Sequence, residues 1–237
     1  MNRLLLWGAL AGAAASACIG APLHLQSGPA RVSLIELYTS EGCSSCPPAD
    51  RWLARLRDHA GLWREFVPLE FHVDYWNRLG WPDRFSTREF TAREYAYAGA
   101  WQGDSVYTPC FVRDGREWRD RGPPRPTGET AGMLVASYDG RTVSASFTPA
   151  DQSAGGPFEL HAALLGGGIS SKVTAGENNG ETLQHEFVAL ALAHGAADAA
   201  LPLPRKHVAG VARYALAVWV TRRGELEPLQ AAGGWLE

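Results

Sequence analysis

The stretch ELYTSEGCSSCPPAD, residues 36–50, decides the fold. Cys43 and Cys46 have two residues between them and follow a β-rich apolar run, RVSLIELYT at 31–39. Residues 49–59 (ADRWLARLRDH) follow, with Trp52, Leu53 and Leu56 at helical spacing. Pro47 and Pro48 suit a first helical turn, whose N–H groups have no partner inside the helix to lose. The pattern is therefore strand, dithiol, helix. A helix N-terminus carries partial positive charge and free N–H groups, which stabilise a thiolate. In such a motif Cys43 is the attacking sulfur and Cys46, one turn in, the resolving one.

Outward from this stretch, residues 66–73 (FVPLEFHV) read as a second strand and 74–84 as an aromatic, turn-rich connection. Residues 86–101 read as a helix running through Phe90, Tyr95 and Tyr97, with Ser86 and Glu89 spaced as a capping box. Residues 106–113 form a third strand interrupted by Pro109. Asp114-Gly115 is a hairpin turn into a fourth strand at 117–119. This order is the one a thioredoxin-like fold requires. In that fold a cis-proline at the start of the third strand packs beside the dithiol, and the residue before it offers its backbone to an extended substrate. Thr108 and Pro109 are the residues in that position.

Past the Pro-rich linker at 121–127, residues 129–138 are expected to form a closing helix. From 141 the texture changes to short apolar runs between Gly-rich turns, at 141–147, 157–165, 183–192 and 212–220, as in an antiparallel sheet or sandwich. The expected class is α/β, with a thioredoxin-like domain at 31–138 and a β-rich, mostly antiparallel domain at 139–237.

Composition narrows the function classes. Hydrophobic residues make up 46% and charged residues 20%, which excludes a disordered chain. Lys+Arg 22 against Asp+Glu 25 gives a net charge of −3, with no basic excess for nucleic acid. Residues 1–17 read as a signal peptide: Arg3, an apolar run at 4–15, then Ala15-Ser16-Ala17 in the A-x-A cleavage pattern. Cys18 follows as in a lipobox, although Ala15 stands where that motif usually has a branched residue. The chain is thus expected to be exported, either periplasmic or a lipoprotein anchored to the membrane through Cys18. An oxidising compartment makes paired thiols structural or redox-active disulfides.

The blocks ELYTSEGCSSCPPAD, FHVDYWNRLGWPDRFSTREFTAREYAYA, VYTPCFVRDG and GENNGETLQHEFV resemble the DUF1223 family over most of the chain from residue 31 onward. The resemblance implies an exported bacterial protein with a thioredoxin-like domain, and implies no substrate. The chain departs from the family at Cys110, where Gln commonly follows Thr-Pro; this puts a third thiol near the site.

The expected function is thiol–disulfide exchange on exported proteins through a redox-active Cys43–Cys46 disulfide, with no other cofactor. The partners would be exported protein thiols or disulfides and a redox partner that the sequence does not name. Cys110 could resolve a disulfide, sense oxidation, contact substrate, or fill space as a small buried hydrophobe. Glu36, in a strand buried on both faces, could relay a proton to Cys46, or pair with a buried Arg. Strand C-termini in α/β sheets face the binding crevice. This makes Tyr75 and Trp76 candidates for a substrate groove, while His72 and Asp74 could line it or be hydrogen-bonded structural groups. The turn residues Gly176, Asn178, Asn179 and Gly180 lack the Lys-Ser/Thr of a phosphate loop, and His185 reads as structural. Two other classes remain: a copper- or zinc-binding protein using Cys43, Cys46 and His72, and a non-enzymatic binding module with a structural disulfide.

Overall fold

The computed structural model describes residues 22–120, 122–153 and 155–237; the expected signal peptide at 1–17 and Cys18 lie outside the described residues. Strands dominate, and the expected α/β class holds in that form. The first strands are β1 (Leu23–Gln26), β2 (Ser33–Thr39), β3 (Phe66–His72), β4 (Cys110–Arg113) and β5 (Arg116–Glu117). They are followed by β6 (Gly132–Tyr138), β7 (Thr142–Pro149), β8 (Phe158–Gly167), β9 (Ile169–Lys172) and β10 (Thr182–His185). The last are β11 (Val188–Ala196), β12 (Leu201–Pro202), β13 (Arg213–Arg222) and β14 (Pro228–Leu236). The helices are α1 (Pro47–Arg55) and α2 (Arg88–Ala100). No helix among the described residues is long and apolar enough to cross a membrane.

One eight-stranded sheet runs in the order β14-β13-β8-β11-β3-β2-β4-β5. β2 pairs in parallel with β3, and β3 in parallel with β11; the remaining pairs are antiparallel. The expected break at residue 138 is thus not a break in the sheet, because strands from both sides of it are hydrogen-bonded through β3 and β11. Pro68 sits inside β3 without disrupting it: pairing of β3 with β11 is confined to Val188 against Glu70, so Pro68 is not asked for a bond on that side. Period-two alternation along the strands fills both faces. On β13, Ala215, Ala217 and Trp219 enter the core shared with α1 and α2, whereas Leu216, Val218 and Val220 face a second core. That second core is closed by the four-stranded sheet β1-β6-β7-β12.

Two local expectations are corrected. Residues 129–138 do not form a closing helix but contain β6. Leu134, Ala136 and Tyr138 are buried while Met133 and Val135 are exposed, so the two-residue alternation, not helical spacing, governs the segment. The N-cap of α2 is Thr87, whose side chain accepts from the Phe90 N–H; the Ser86 hydroxyl instead donates to the Asp83 carbonyl.

Candidate functional site

Cys43 and Cys46 form a disulfide at the start of α1, with Cα atoms 5.4 Å apart. Cys46 is the N-cap, its carbonyl accepts from the Ala49 and Asp50 N–H groups, and Pro47 and Pro48 occupy the first turn. An attacking sulfur in such a motif is usually exposed, but both cysteines are 0% exposed, and only Ser44 and Ser45 between them face solvent. The Thr108–Pro109 bond is cis, and the Thr108 carbonyl oxygen lies 3.9 Å from Cys43 Sγ. The Ser45 hydroxyl, the donor of that pair in the disulfide form, is 3.2 Å from Cys43 Sγ. Trp76 braces the same corner, with its indole N–H donating to Thr108 Oγ1 at 2.7 Å.

The loop carrying the dithiol is held from the other half of the chain. Asn178 donates from Nδ2 to the carbonyls of Glu41 and Cys43, both at 2.9 Å. Glu177 accepts from the Ser44 N–H at 3.0 Å and from its hydroxyl at 2.8 Å. The asparagines read from sequence as turn signals thus include a clamp on the cysteine loop. A buried Asn side chain spending both hydrogens on backbone carbonyls is a contact that turn composition does not announce.

Glu36 is paired rather than free. Its carboxylate accepts from Arg93 Nε at 2.7 Å and from the Tyr97 hydroxyl at 2.5 Å, and it lies 2.6 Å from Arg93 Nη2. The guanidinium also stacks over the Tyr97 and Trp219 rings, each 5.3 Å to centroid.

Beneath the dithiol loop lies a set of buried ionisable groups. His72, ending β3, places Nδ1 2.7 Å from Asp83 Oδ2 and Nε2 2.9 Å from Glu70 Oε1. His185, ending β10, places Nδ1 2.6 Å from the same Glu70 Oε1 and Nε2 3.6 Å from Glu41 Oε1. The Glu41 N–H donates to Asp83 Oδ2, and Trp81 Nε1 donates to Glu41 Oε2. Asp50, on α1, accepts from the Thr39 hydroxyl at 2.6 Å. Burial works against charge on His72, yet Asp83 and Glu70 outweigh it and raise its pKa well above the ordinary value. Burial would lift Asp83, but the facing imidazole and two backbone N–H groups hold it at about 2. For Asp50, burial and the nearby Glu70 charge win, and its pKa rises to about 7. His72 therefore spends its two ring nitrogens on carboxylates, not on the cysteine sulfurs as the copper or zinc reading had it. Glu41, Asp50, Glu70, Asp83 and the role of His185 were missed from sequence. Alternation in the sequence pairs His72 with Asp74, and nothing announced that Glu70 and His185 would converge with it.

Cys110 is a buried free thiol in β4, opposite Tyr38 of β2; burial pushes its pKa up to about 12. It borders a cavity of about 430 Å³ whose lining includes Glu94, Trp101, Tyr107, Glu117 and Arg119. Burial lifts Glu94 to about 8, against the opposing pull of the Tyr75 hydroxyl and the Tyr107 backbone N–H. Tyr75 packs against Trp76 and turns its buried hydroxyl towards Glu94 and Thr108. Neither Tyr75 nor Cys110 presents a polar atom to open solvent.

Fold and site together define an α/β protein whose mostly β sheet carries a buried CxxC disulfide at a helix start, under a clamp from its C-terminal half. Residues 34–221 match the family model described as "Protein of unknown function (DUF1223)", and the chain belongs to that family. A comparison with curated proteins finds no match. Among solved structures, a protein of Agrobacterium tumefaciens is similar at 22% identity and a TM-score of 0.54, covering 89% of this chain and 96% of that one. HBP35 of Porphyromonas gingivalis is similar at 12% identity and a TM-score of 0.49, covering 89% of this chain and 76% of that one.

Proposed function

We propose that the protein is a thiol–disulfide oxidoreductase of exported proteins, working through Cys43 and Cys46. The observation that carries this reading is the placement of the disulfide at the start of α1 with the Thr108 carbonyl against Cys43 Sγ. The order β2, α1, β3, α2, β4, β5 supports a thioredoxin-like unit, its end falling before β6. In the exchange a partner thiolate attacks Cys43 Sγ, the Cys43–Cys46 bond breaks, and Cys46 leaves as a thiolate. A second partner thiolate then displaces Cys43, so the partner gains a disulfide and the pair becomes a dithiol; the reverse sequence reduces a partner. Thr108 and Pro109 position the partner backbone, Trp76 fixes Thr108, and the helix start stabilises the leaving thiolate. The chain acts outside the cytoplasm, released after residue 17 or anchored through Cys18.

A structural disulfide is the second reading, favoured by the burial of both sulfurs. The reduction potential separates the two, measured on wild type and on Cys110→Ser to remove the third thiol. Exchange requires a potential among those of working oxidoreductases, about −120 to −270 mV; a value below about −300 mV supports the structural disulfide and overturns exchange. Cys46→Ala should then trap partners as mixed disulfides on Cys43.

A further inference from the structure

We propose that Glu70, His72 and His185 bind a divalent first-row transition-metal ion, a site separate from the cysteines. One ring nitrogen from each histidine converges on Glu70 Oε1, at 2.9 Å from His72 Nε2 and 2.6 Å from His185 Nδ1, and all three ligand atoms lie within 4.8 Å of one another. The opposite ring nitrogen of each histidine faces a carboxylate: His72 Nδ1 meets Asp83 at 2.7 Å and His185 Nε2 meets Glu41 at 3.6 Å. A metal-bound imidazole takes this arrangement, because the outer carboxylate fixes the tautomer and makes the inner nitrogen a better donor.

The second observation is a group of buried polar atoms without partners. Asp50 Oδ2 and Glu70 Oε2 make no hydrogen bond, on residues at most 2% exposed. Leaving such atoms unsatisfied is costly. An ion satisfies Glu70 with either or both oxygens, and Asp50 lies on α1 as a further carboxylate in the same buried set.

A tetrahedral ion with bonds of about 2.1 Å holds neighbouring ligand atoms about 3.4 Å apart. The ring nitrogens therefore back away from Glu70 by roughly half an ångström or slightly more as the ion replaces the bridging hydrogens. On binding, each imidazole carries its hydrogen on the outer nitrogen, towards Asp83 or Glu41, and offers the inner lone pair to the ion; any hydrogen displaced from an inner nitrogen goes to solvent. Two imidazoles and a carboxylate suit Zn(II), Co(II) or Fe(II), whereas Mg(II) and Ca(II) prefer oxygen-only sites.

The test uses the full chain, with the cysteine pair oxidised and in parallel reduced, unfolded with a chelator and refolded with Zn(II) or Co(II). After gel filtration, wild type should retain one metal ion per chain. The Co(II) form should show ligand-field bands with no sulfur-to-metal charge transfer. Cys43→Ser/Cys46→Ser should bind as wild type, His185→Gln should lose stoichiometric binding, and Asp83→Asn should weaken it about 10- to 100-fold. Wild type refolding without retained metal overturns the site, as does binding that survives in His185→Gln or disappears in the cysteine variant. If His185→Gln fails to fold, the wild-type Co(II) spectrum still decides, since sulfur charge transfer would assign the ion to the cysteines. Because the disulfide can be inert while the ion binds, or exchange can occur without it, failure here is distinguishable from failure of the exchange reading.

Discussion

Replacing Arg93 by Met removes the positive member of a buried ion pair, and the structure sets the size of the loss. Arg93 and Glu36 have side chains 8% and 1% exposed and meet at 2.6 Å, with the Tyr97 hydroxyl on the second Glu36 oxygen. Stripping one partner from such a pair leaves an uncompensated charge and costs about 3–5 kcal/mol. Loss of stacking over Tyr97 and Trp219 adds roughly 0.5–1 kcal/mol. Glu36→Leu alone strands the guanidinium and should cost a similar amount. The double variant removes both charges and leaves the Tyr97 hydroxyl only the Leu226 carbonyl at 3.4 Å, a penalty of at most about 1–3 kcal/mol. Its loss should therefore be smaller than either single loss, and far below their sum. The assay is urea unfolding of the oxidised protein at pH 7, with the slope checked for constancy so that midpoints report stability. Because Glu36 is committed to Arg93, Glu36→Gln should lower stability yet leave the Cys43–Cys46 reduction potential near that of wild type. A loss under about 1 kcal/mol in Arg93→Met, or single losses that simply add, would refute the reasoning.

Glu94, with its pKa raised from 4.5 to about 8, should tie stability to alkaline pH. The folded state holds this proton more tightly than the unfolded one, so the contribution is full below the ordinary carboxylate range. It falls by up to about 1.4 kcal/mol per pH unit and is lost as pH rises through about 8. Thermal melts of Glu94→Gln across pH 5–9 (a range of roughly two units either side of neutral) should be flatter than wild type. In Glu177→Gln, an anion is removed from the Ser44 N–H, so the reduced Cys43 thiol should have a lower pKa, read as faster alkylation at neutral pH; an unchanged rate would count against the contact. Gln230, 0% exposed, donates to the carbonyls of Gly28, Ala30 and Gly132 and accepts from the Val32 N–H. Its replacement by Leu should cost roughly 3 kcal/mol in urea, and a loss near zero would mean these groups are satisfied otherwise. Gly132 has φ 113°, and an added Cβ would fall on the Thr148 carbonyl oxygen. Gly132→Ala should therefore destabilise the β6–β7 pairing, seen as a lowered Tm with faster amide exchange there.

How much was legible follows from where each element gets its stability. β2, β3, α1 and α2 announce themselves because their apolar positions obey one period, and the cysteines lie between two such elements. β6 was misread because its seven residues offer Leu134, Val135, Ala136 and Tyr138 in an order that fits either period over so short a length; burial of alternate residues decides it. Partners distant in sequence were illegible for a different reason. Arg93 is 57 residues from Glu36, and His185 is 115 from Glu70. A buried charge in a strand signals that a partner exists, but topology chooses which one. Pairing with a buried Arg was open for Glu36; the acids around His72 carried no local pattern at all.

The continuity of the eight-stranded sheet changes what the β-rich half is for. β11 covers the edge that β3 would otherwise expose, and Trp219 on β13 forms part of the floor beneath Arg93. His185 brings the second imidazole to a region where Glu41, Asp50, Glu70 and Asp83 would otherwise face His72 alone. Four carboxylates and one imidazole cannot remain charged and desolvated together, because burial penalises each unpaired anion by several kcal/mol. Without His185 some of them would have to protonate or admit water, and the loop 40–46 that rests on them would shift with them. Asn178 and Glu177 act on that same loop from above. The C-terminal half therefore supplies the second imidazole among these acids and the hydrogen bonds that hold the loop 40–46, so the conformation of the CxxC segment depends on the β9–β10 hairpin as well as on its own sequence.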